Sequence, residues 1–172
     1  MQLQFFQKEL RLKETFSIAY GNYDKRDALL VQLSHLDKKG FGECVSINYY
    51  GINLDEFILK LNKIQPQIEA QKIIYPKDFF TFLLNLNLHP FLLSALDCAY
   101  WDLFGKLENK SFAELNSLEN ENAVESSITI SIAEIDVQIQ KIEKSNWNKF
   151  KVKCNGFSQE NFEKLISLNQ KI

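Results

Sequence analysis

The sequence predicts an α+β N-terminal domain, with a three-stranded antiparallel sheet and several helices, followed by the first two βα units of a (β/α) barrel. Three observations support this fold class. Alternating apolar and polar residues with turn signals fill the first third, and apolar stripes at helical spacing fill the middle. After a polar run, the pattern changes to strand, helix, strand, helix, which is typical of a parallel sheet with right-handed crossovers.

The first third contains the predicted antiparallel sheet. Turn chemistry occurs at Gly21-Asn22, and Asp37-Lys38-Lys39-Gly40 predicts a hairpin turn between two apolar runs. The alternation around these turns favours half-buried strands. We therefore expect three antiparallel strands, within residues 3–12, 27–36 and 41–45.

Four helix starts are predicted in the middle of the chain. Two have a capping residue with a glutamate three positions later, and two have a proline that suits the first helical turn. They are Asn53 with Glu56, Ser111 with Glu114, Pro76, and Pro90. Pro66 is expected to kink or end the first helix. Asp102 and Lys106 have the i, i+4 spacing of a surface ion pair.

A polar run from Glu119 to Asn122, extending to Ser126, is the predicted boundary between two domains, residues 1–118 and 119–172. Beyond it, the pattern predicts a strand, a helix, a second strand and a last helix capped by a serine. These elements are expected at residues 126–132, 133–144 and 150–153, and after Ser158.

The second of these strands, Phe150-Lys151-Val152-Lys153, carries the main functional hypothesis. Successive side chains of a strand point to opposite faces, so Lys151 and Lys153 project together and the two apolar residues project the other way. An apolar face packed under helices and a lysine face directed into an active site explain this pattern. The alternative is a solvated strand edge, where lysines protect against aggregation.

Composition excludes several classes of function. The chain has 172 residues, of which 45% are hydrophobic and 24% charged, and its net charge of −2 argues against a general nucleic-acid binder. No apolar stretch approaches the ~20 residues of a membrane span. Cys44, Cys98 and Cys154 lack metal-ligand spacing, which favours reduced thiols in the cytoplasm.

Several segments, in chain order, resemble the enolase superfamily. They are Phe16 to Gly21, Gly40-Phe41-Gly42-Glu43-Cys44, Ser94-Ala95-Leu96-Asp97 with Trp101 to Lys106, Thr129, and Lys151-Val152-Lys153. Within the superfamily, the muconate-cycloisomerase-like subgroup fits best. The Tyr-Tyr-Gly loop and the Ser-Ile-Thr-Ile-Ser strand most resemble dipeptide epimerases of the L-Ala-D/L-Glu type. By this resemblance, residues 1–118 are the capping domain and residues 119–172 begin the barrel, which is incomplete in this chain.

The resemblance also implies the chemistry, a 1,1-proton transfer at the α-carbon of the C-terminal residue of a dipeptide. Lys153 is expected to be the base, and Lys151 to assist it and contact the substrate carboxylate. Mg²⁺ stabilises the enediolate in the family. Substrate-binding residues are expected to be Thr129, Tyr20, Asn22, Tyr23, Arg26 and Tyr50. The plain alternative for the loop residues is that they are ordinary surface groups.

The family's metal ligands lie at the ends of the third, fourth and fifth barrel strands, and its second catalytic lysine lies on the sixth. None of these segments is within residues 1–172, so we expect no metal ligand in this chain and no turnover by it alone. The expected partners are a small dipeptide or acyl amino acid substrate, with no nucleic acid or membrane, and a second copy in a homo-oligomer. Two alternatives stay open, namely an o-succinylbenzoate synthase or N-acylamino-acid racemase, and a non-catalytic remnant or binding module.

Overall fold

The computed structural model describes residues 1–47, 50–118, 125–154, 156 and 158–171, in five strands and six helices among these residues. In chain order they are β1 (Gln2–Ile18), β2 (Gly21–His35), β3 (Lys38–Val45), α1 (Leu54–Glu69), α2 (Pro76–Leu84), α3 (Pro90–Glu108), α4 (Phe112–Leu115), β4 (Ile128–Ile130), α5 (Ile135–Glu143), β5 (Phe150–Val152) and α6 (Gln159–Lys171). The polar run at the predicted domain boundary lies largely outside the described residues.

The chain divides into two compact units. One contains Met1–Leu10 and Arg26–Glu121, and the other contains Arg11–Lys25 and Asn122–Ile172. The β1–β2 hairpin therefore contributes its tip to the unit that holds β4 and β5. The sequence predicts two domains that are continuous segments, residues 1–118 and 119–172. No local feature of the sequence indicates that part of the N-terminal sheet belongs to the same unit as the C-terminal residues.

The predicted three-stranded antiparallel sheet, in the order β1-β2-β3, lies in the first unit except for the hairpin tip. The fully buried side chains come from the sheet and from three helices, and include Leu29, Val31 and Leu33 of β2, Leu61 and Ile68 of α1, Phe79 and Leu83 of α2, and Leu92, Leu96 and Leu103 of α3. These side chains form one continuous apolar core. Burial of this much apolar surface is the main source of stability in such a unit.

Both predicted turns are shifted toward the N-terminus. The first hairpin turns at Ala19-Tyr20, and Gly21 opens β2 with a φ of 144°. The second turns at Leu36-Asp37, with Leu36 at a φ of 54°, and β3 begins at Lys38. Gly40, which the sequence suggested as a turn residue, lies inside β3, where it is needed for packing.

Close contact between β3 and α3 explains the two glycines of β3. A Cβ atom added to Gly40 would lie 2.1 Å from the carbonyl oxygen of Ala99, and one added to Gly42 would lie 1.9 Å from that of Ala95. Both distances are far below van der Waals contact, and the obstacles are backbone atoms of a helix. The Gly-Phe-Gly segment therefore serves to bring the strand against the helix.

The ion pair predicted on α3 is confirmed and has a second role. The Nζ atom of Lys106 lies 2.7 Å from Oδ2 of Asp102. Asp102 also accepts a hydrogen bond from the backbone N–H of Phe41 at 2.9 Å, and Lys106 donates one to the carbonyl of Lys39 at 2.8 Å. The pair therefore joins the last turns of α3 to β3.

One carboxyl oxygen of Asp97, on the same helix, has no such partner among the described residues. Its Oδ1 atom is buried and makes no hydrogen bond within the described part of the chain, and burial raises the pKa of the carboxyl group. A carboxylate without a donor is costly in such a position. Asp97, in the segment Ser94 to Asp97 that carries part of the resemblance, therefore has a buried carboxyl oxygen without a donor among the described residues.

Pro66, expected to kink or end the first helix, does not end it, because α1 continues to Glu69 with Pro66 inside. The missing N–H of proline costs one bond, but the last turn is held by other contacts. The backbone N–H of Ala70 donates to the carbonyl of Pro66 at 3.1 Å, and the backbone N–H of Leu3 donates to Oε1 of Glu69 at 3.0 Å. The hydrogen bond that the Gln65 side chain donates to Glu69, followed by the one from the Leu3 backbone, lowers the pKa of Glu69.

The predicted helix starts are confirmed, including both capping motifs. Asn53 accepts hydrogen bonds from the backbone N–H groups of Asp55 and Glu56, and Ser111 forms a full capping box with Glu114. Pro76 and Pro90 occupy first-turn positions of α2 and α3. No described helix has the length and apolar character needed to cross a membrane.

Loss of the Asn53 cap should measurably lower the stability of the protein. We expect Asn53→Ala to lower the free energy of unfolding by about 1 kcal/mol, because two backbone donors of α1 lose their acceptor. Urea denaturation followed by circular dichroism measures the change. Asn53→Asp keeps the acceptor and should retain most of the stability. Equal stability of the alanine and wild-type proteins would show that the cap contributes nothing.

Candidate active site

The lysine strand pairs with its neighbour in parallel, as the sequence predicts. Thr129 of β4 is opposite Lys151 of β5, and both residues are exposed. On the other face, Phe150 and Val152 pack against a small core formed by Ile130, Ile139 and Ile142. Adjacent strands thus present Thr129 and Lys151 on the open face, while α5 covers the apolar face.

Lys153 follows β5 directly and is partly buried, in contrast to Lys151. Its backbone N–H donates to the carbonyl of Ile130 at 2.9 Å, which continues the pairing past the end of the strand. The residue also borders a cavity of about 40 Å³ whose lining includes Gln138 of α5 and Asn161 of α6. The lining also includes the apolar residues Ile132, Val152 and Leu165, so Lys153 lies in a confined environment of mixed polarity at the strand end.

Two local hydrogen bonds connect described residues between Lys153 and the first turn of α6. Gly156 has a φ of 80°, in the left-handed region that glycine adopts without strain. Asn161 donates from Nδ2 to the carbonyl of Gly156 at 2.9 Å, and its backbone N–H bonds to Oγ of Ser158 at 3.2 Å. Ser158 thus caps α6, as predicted. Gly156 and Ser158 of this βα connection are therefore tied to the first turn of the helix.

The hairpin tip carries three of the predicted substrate residues in the same unit. Tyr20 lies in the turn and is 77% exposed, while Asn22 and Tyr23 are in the first residues of β2. The backbone N–H of Ile132, two residues after β4, donates to the carbonyl of Ser17 at 3.0 Å. The structure therefore attaches the hairpin near the C-terminal end of β4, on the strand that carries Thr129.

The other two predicted substrate residues, Arg26 and Tyr50, belong to the first unit. Arg26 is partly buried in β2. Tyr50 is 58% exposed, with its ring centroid 5.7 Å from that of Phe91. Tyr49, in the same predicted loop, lies outside the described residues. The substrate roles of Arg26 and Tyr50 stay predictions.

Metal-ligand chemistry is not assembled in the described part of the chain. In that part, no three His, Cys, Asp or Glu side chains come close enough together to hold a metal ion. The three cysteines are free thiols, and burial raises the pKa of Cys44 to about 11. The described residues therefore offer no metal site on which a catalytic step can be based.

Sequence reasoning missed the contacts that hold the hairpin tip. Glu14 pairs with Lys141, 127 positions later, and Thr15 bonds to Asp24 across the hairpin. Charged residues at these positions look like ordinary surface groups in the sequence. One usable signal was overlooked. Ala95 and Ala99 are small residues spaced i, i+4 on α3, so they lie on the same face of the helix and allow β3 to approach closely.

The chain is similar in sequence to two epimerases and, more distantly, to a synthase. No protein-family model matches the chain. The chain is 35% identical over 153 residues to an L-Ala-D/L-amino acid epimerase of Maribacter sp., a match covering 89% of this chain and 45% of that protein. An enzyme of the same name from Flavobacterium johnsoniae is 33% identical over 159 residues, covering 89% and 46%. An o-succinylbenzoate synthase of Enterococcus faecalis is 29% identical over 118 residues, covering 65% and 32%.

Solved structures share the fold across the chain. A dipeptide epimerase from Methylococcus capsulatus, complexed with Mg and the dipeptide L-Arg-D-Lys, matches with a TM-score of 0.83 at 20% identity, over 99% of this chain and 50% of that one. A muconate lactonizing enzyme from Pseudomonas fluorescens matches with a TM-score of 0.87 at 17% identity, over 99% and 49%. The chain therefore spans about half the length of the relatives it matches.

Proposed function

Because the chain corresponds in sequence and fold to the N-terminal part of the enolase-superfamily dipeptide epimerases, we propose that it is the N-terminal part of such an enzyme. The proposed reaction is a 1,1-proton transfer at the α-carbon of the C-terminal residue of a dipeptide such as L-Ala-D/L-Glu. The observation that carries this proposal is the pairing of Thr129 with Lys151, with Lys153 at the end of the same strand.

In the proposed mechanism, Lys153 acts as the general base. Its amine removes the α-proton of the dipeptide, and the electron pair left behind is delocalised into the adjacent carboxylate. Proton transfer by a positioned side chain contributes about 10²- to 10⁴-fold to the rate. Lys151 stabilises the developing negative charge and contacts the substrate carboxylate, and Thr129 lines the site beside it. Return of a proton from the opposite face requires a second acid, supplied outside residues 1–172.

The hairpin residues Tyr20, Asn22 and Tyr23 complete the proposed substrate site, with Arg26 and Tyr50 as further substrate contacts. Mg²⁺ dependence is part of the proposal, and its ligands come from outside the described residues. Residues 1–172 alone are accordingly expected to lack turnover. A homo-oligomeric state and a cytoplasmic location also stay predictions.

A substrate panel tests the proposal on the complete protein. We expect Mg²⁺-dependent conversion of L-Ala-L-Glu or a related dipeptide into its epimer, detected by chiral chromatography. Formation of o-succinylbenzoate from its cyclohexadiene precursor, measured in parallel, tests the alternative that the more distant synthase match suggests. Synthase activity without epimerisation of any dipeptide would refute the proposal. Absence of both activities would favour the non-catalytic alternative.

A further inference from the structure

The tip of the β1–β2 hairpin, within residues 11–25 of the second unit, is held to the other residues of that unit by a backbone hydrogen bond and an ion pair. The backbone bond joins the N–H of Ile132 to the carbonyl of Ser17 at 3.0 Å. The ion pair joins Nζ of Lys141, in the last turn of α5, to Oε1 of Glu14 at 2.8 Å. Glu14 and Ser17 lie three residues apart on β1, so the same short stretch of strand is fixed at two points.

A third contact joins the two strands of the hairpin just before its tip. Oγ1 of Thr15 donates to Oδ1 of Asp24 at 2.5 Å. The restraint on β1 is thereby passed to β2, at the residue next to Tyr23. The segment from Glu14 to Asp24 is therefore tied together as well as anchored, and it includes Tyr20, Asn22 and Tyr23.

The ion pair is poorly suited to a purely stabilising role. The side chain of Glu14 is 64% exposed and that of Lys141 is 29% exposed. Exposed pairs of this kind add little to the stability of a fold and are weakened by salt. The pair still restrains the geometry of the hairpin, because it joins β1 to α5 across 127 positions of sequence at one of the two points described above.

The location of the anchor connects it to the proposed site. Ile132 follows β4 by two residues, and the active sites of βα barrels lie at the C-terminal ends of the strands. An anchor at this point holds the hairpin near the residues that follow Thr129 and Lys151. A shift of the tip would therefore alter substrate contacts without altering the lysines.

We propose that Glu14 and Lys141 are positioning residues that anchor the hairpin tip at the C-terminal end of β4 and so set the affinity for substrate. This inference rests on the proposed function for its substrate part. The anchoring part concerns only the described residues and can be measured in the absence of any activity.

The test uses the complete protein with the single variants Glu14→Gln and Lys141→Met and the charge-reversed double variant Glu14→Lys with Lys141→Glu. Lys144→Met is the matched control, because Lys144 is an exposed lysine at the end of the same helix. Amide hydrogen exchange is followed at Ile132 and across residues 18–23. Steady-state kinetics with the dipeptide substrate are measured at low and high salt.

We expect each single variant to accelerate exchange at these amides about threefold to fivefold, in line with an exposed pair. KM should rise by a similar factor while kcat stays within twofold, the double variant should recover both values, and Lys144→Met should resemble wild type. High salt should raise the KM of wild type toward that of the single variants.

Unchanged exchange in both single variants would overturn the anchor. Faster exchange with an unchanged KM would overturn the link to substrate affinity. An inactive wild-type protein would refute the proposed function instead, and the exchange data would still decide whether the pair anchors the hairpin.

Discussion

Replacing Lys153 with alanine in the complete protein is expected to lower the rate of dipeptide epimerisation by about 10²- to 10⁴-fold. The variant removes the only amine that the proposal assigns to the first proton transfer. KM should change much less than kcat, because the amine acts on the α-proton and the remaining contacts still bind the dipeptide. Chiral product analysis at saturating substrate measures the loss.

Two further variants test whether Lys153 acts as a base or only contributes a positive charge. Lys153→Arg keeps the positive charge but introduces a guanidinium that stays protonated, so it should be as inactive as the alanine variant. Lys149→Ala removes an exposed lysine just before β5, which pairs with Glu125, and should keep near-normal activity. Activity of Lys153→Arg within tenfold of wild type would contradict the assignment of Lys153 as base.

The largest effect on stability is expected from Gly42→Ala. The added Cβ would lie 1.9 Å from the carbonyl oxygen of Ala95, and neither backbone can move away without disturbing the core between β3 and α3. Overpacking of this kind costs about 1–3 kcal/mol and occasionally more, so we expect a loss near the top of that range. Urea denaturation followed by Trp101 fluorescence, in a background with Trp147→Phe, measures it.

Glu43→Ala is the matched control for Gly42→Ala. Glu43 is the next residue on β3 and is exposed, so its truncation should change the free energy of unfolding by no more than about 0.5 kcal/mol. A lower free energy of unfolding in Gly42→Ala would point to the close packing, because alanine is otherwise intrinsically preferred to glycine in a strand. A Gly42→Ala protein as stable as wild type would show that β3 and α3 do not pack as described.

Most of the secondary structure could be predicted because its signals are local. Capping residues placed the starts of α1 and α4, first-turn prolines placed α2 and α3, and alternation placed β4 and β5. The errors arose where tertiary contacts outweighed local preference. Gly40 has the composition of a turn residue, but contact with α3 holds it inside a strand, and contacts from Leu3 and Ala70 extend α1 past Pro66.

The candidate site was only partly predictable for the same reason. Alternation along one strand indicated that Lys151 and the apolar residues of β5 face opposite ways, and the packing of Phe150 and Val152 agrees with this. The anchoring of the hairpin could not be deduced, since Glu14 and Lys141 are 127 residues apart and have no distinguishing local pattern. The described residues bring no three His, Cys, Asp or Glu side chains together, so the proposed metal dependence has no counterpart among their contacts.

The most direct test of the proposed function is exchange of the substrate α-hydrogen with solvent. The complete protein is incubated in deuterated buffer with Mg²⁺ and L-Ala-L-Glu, and proton NMR follows the α-hydrogen of the C-terminal residue. We predict its loss at a rate that falls by at least about 10²-fold in Lys153→Ala. Exchange that persists at the wild-type rate in Lys153→Ala would contradict the proposed role of Lys153. No exchange with any dipeptide by the wild-type protein would contradict the proposed function.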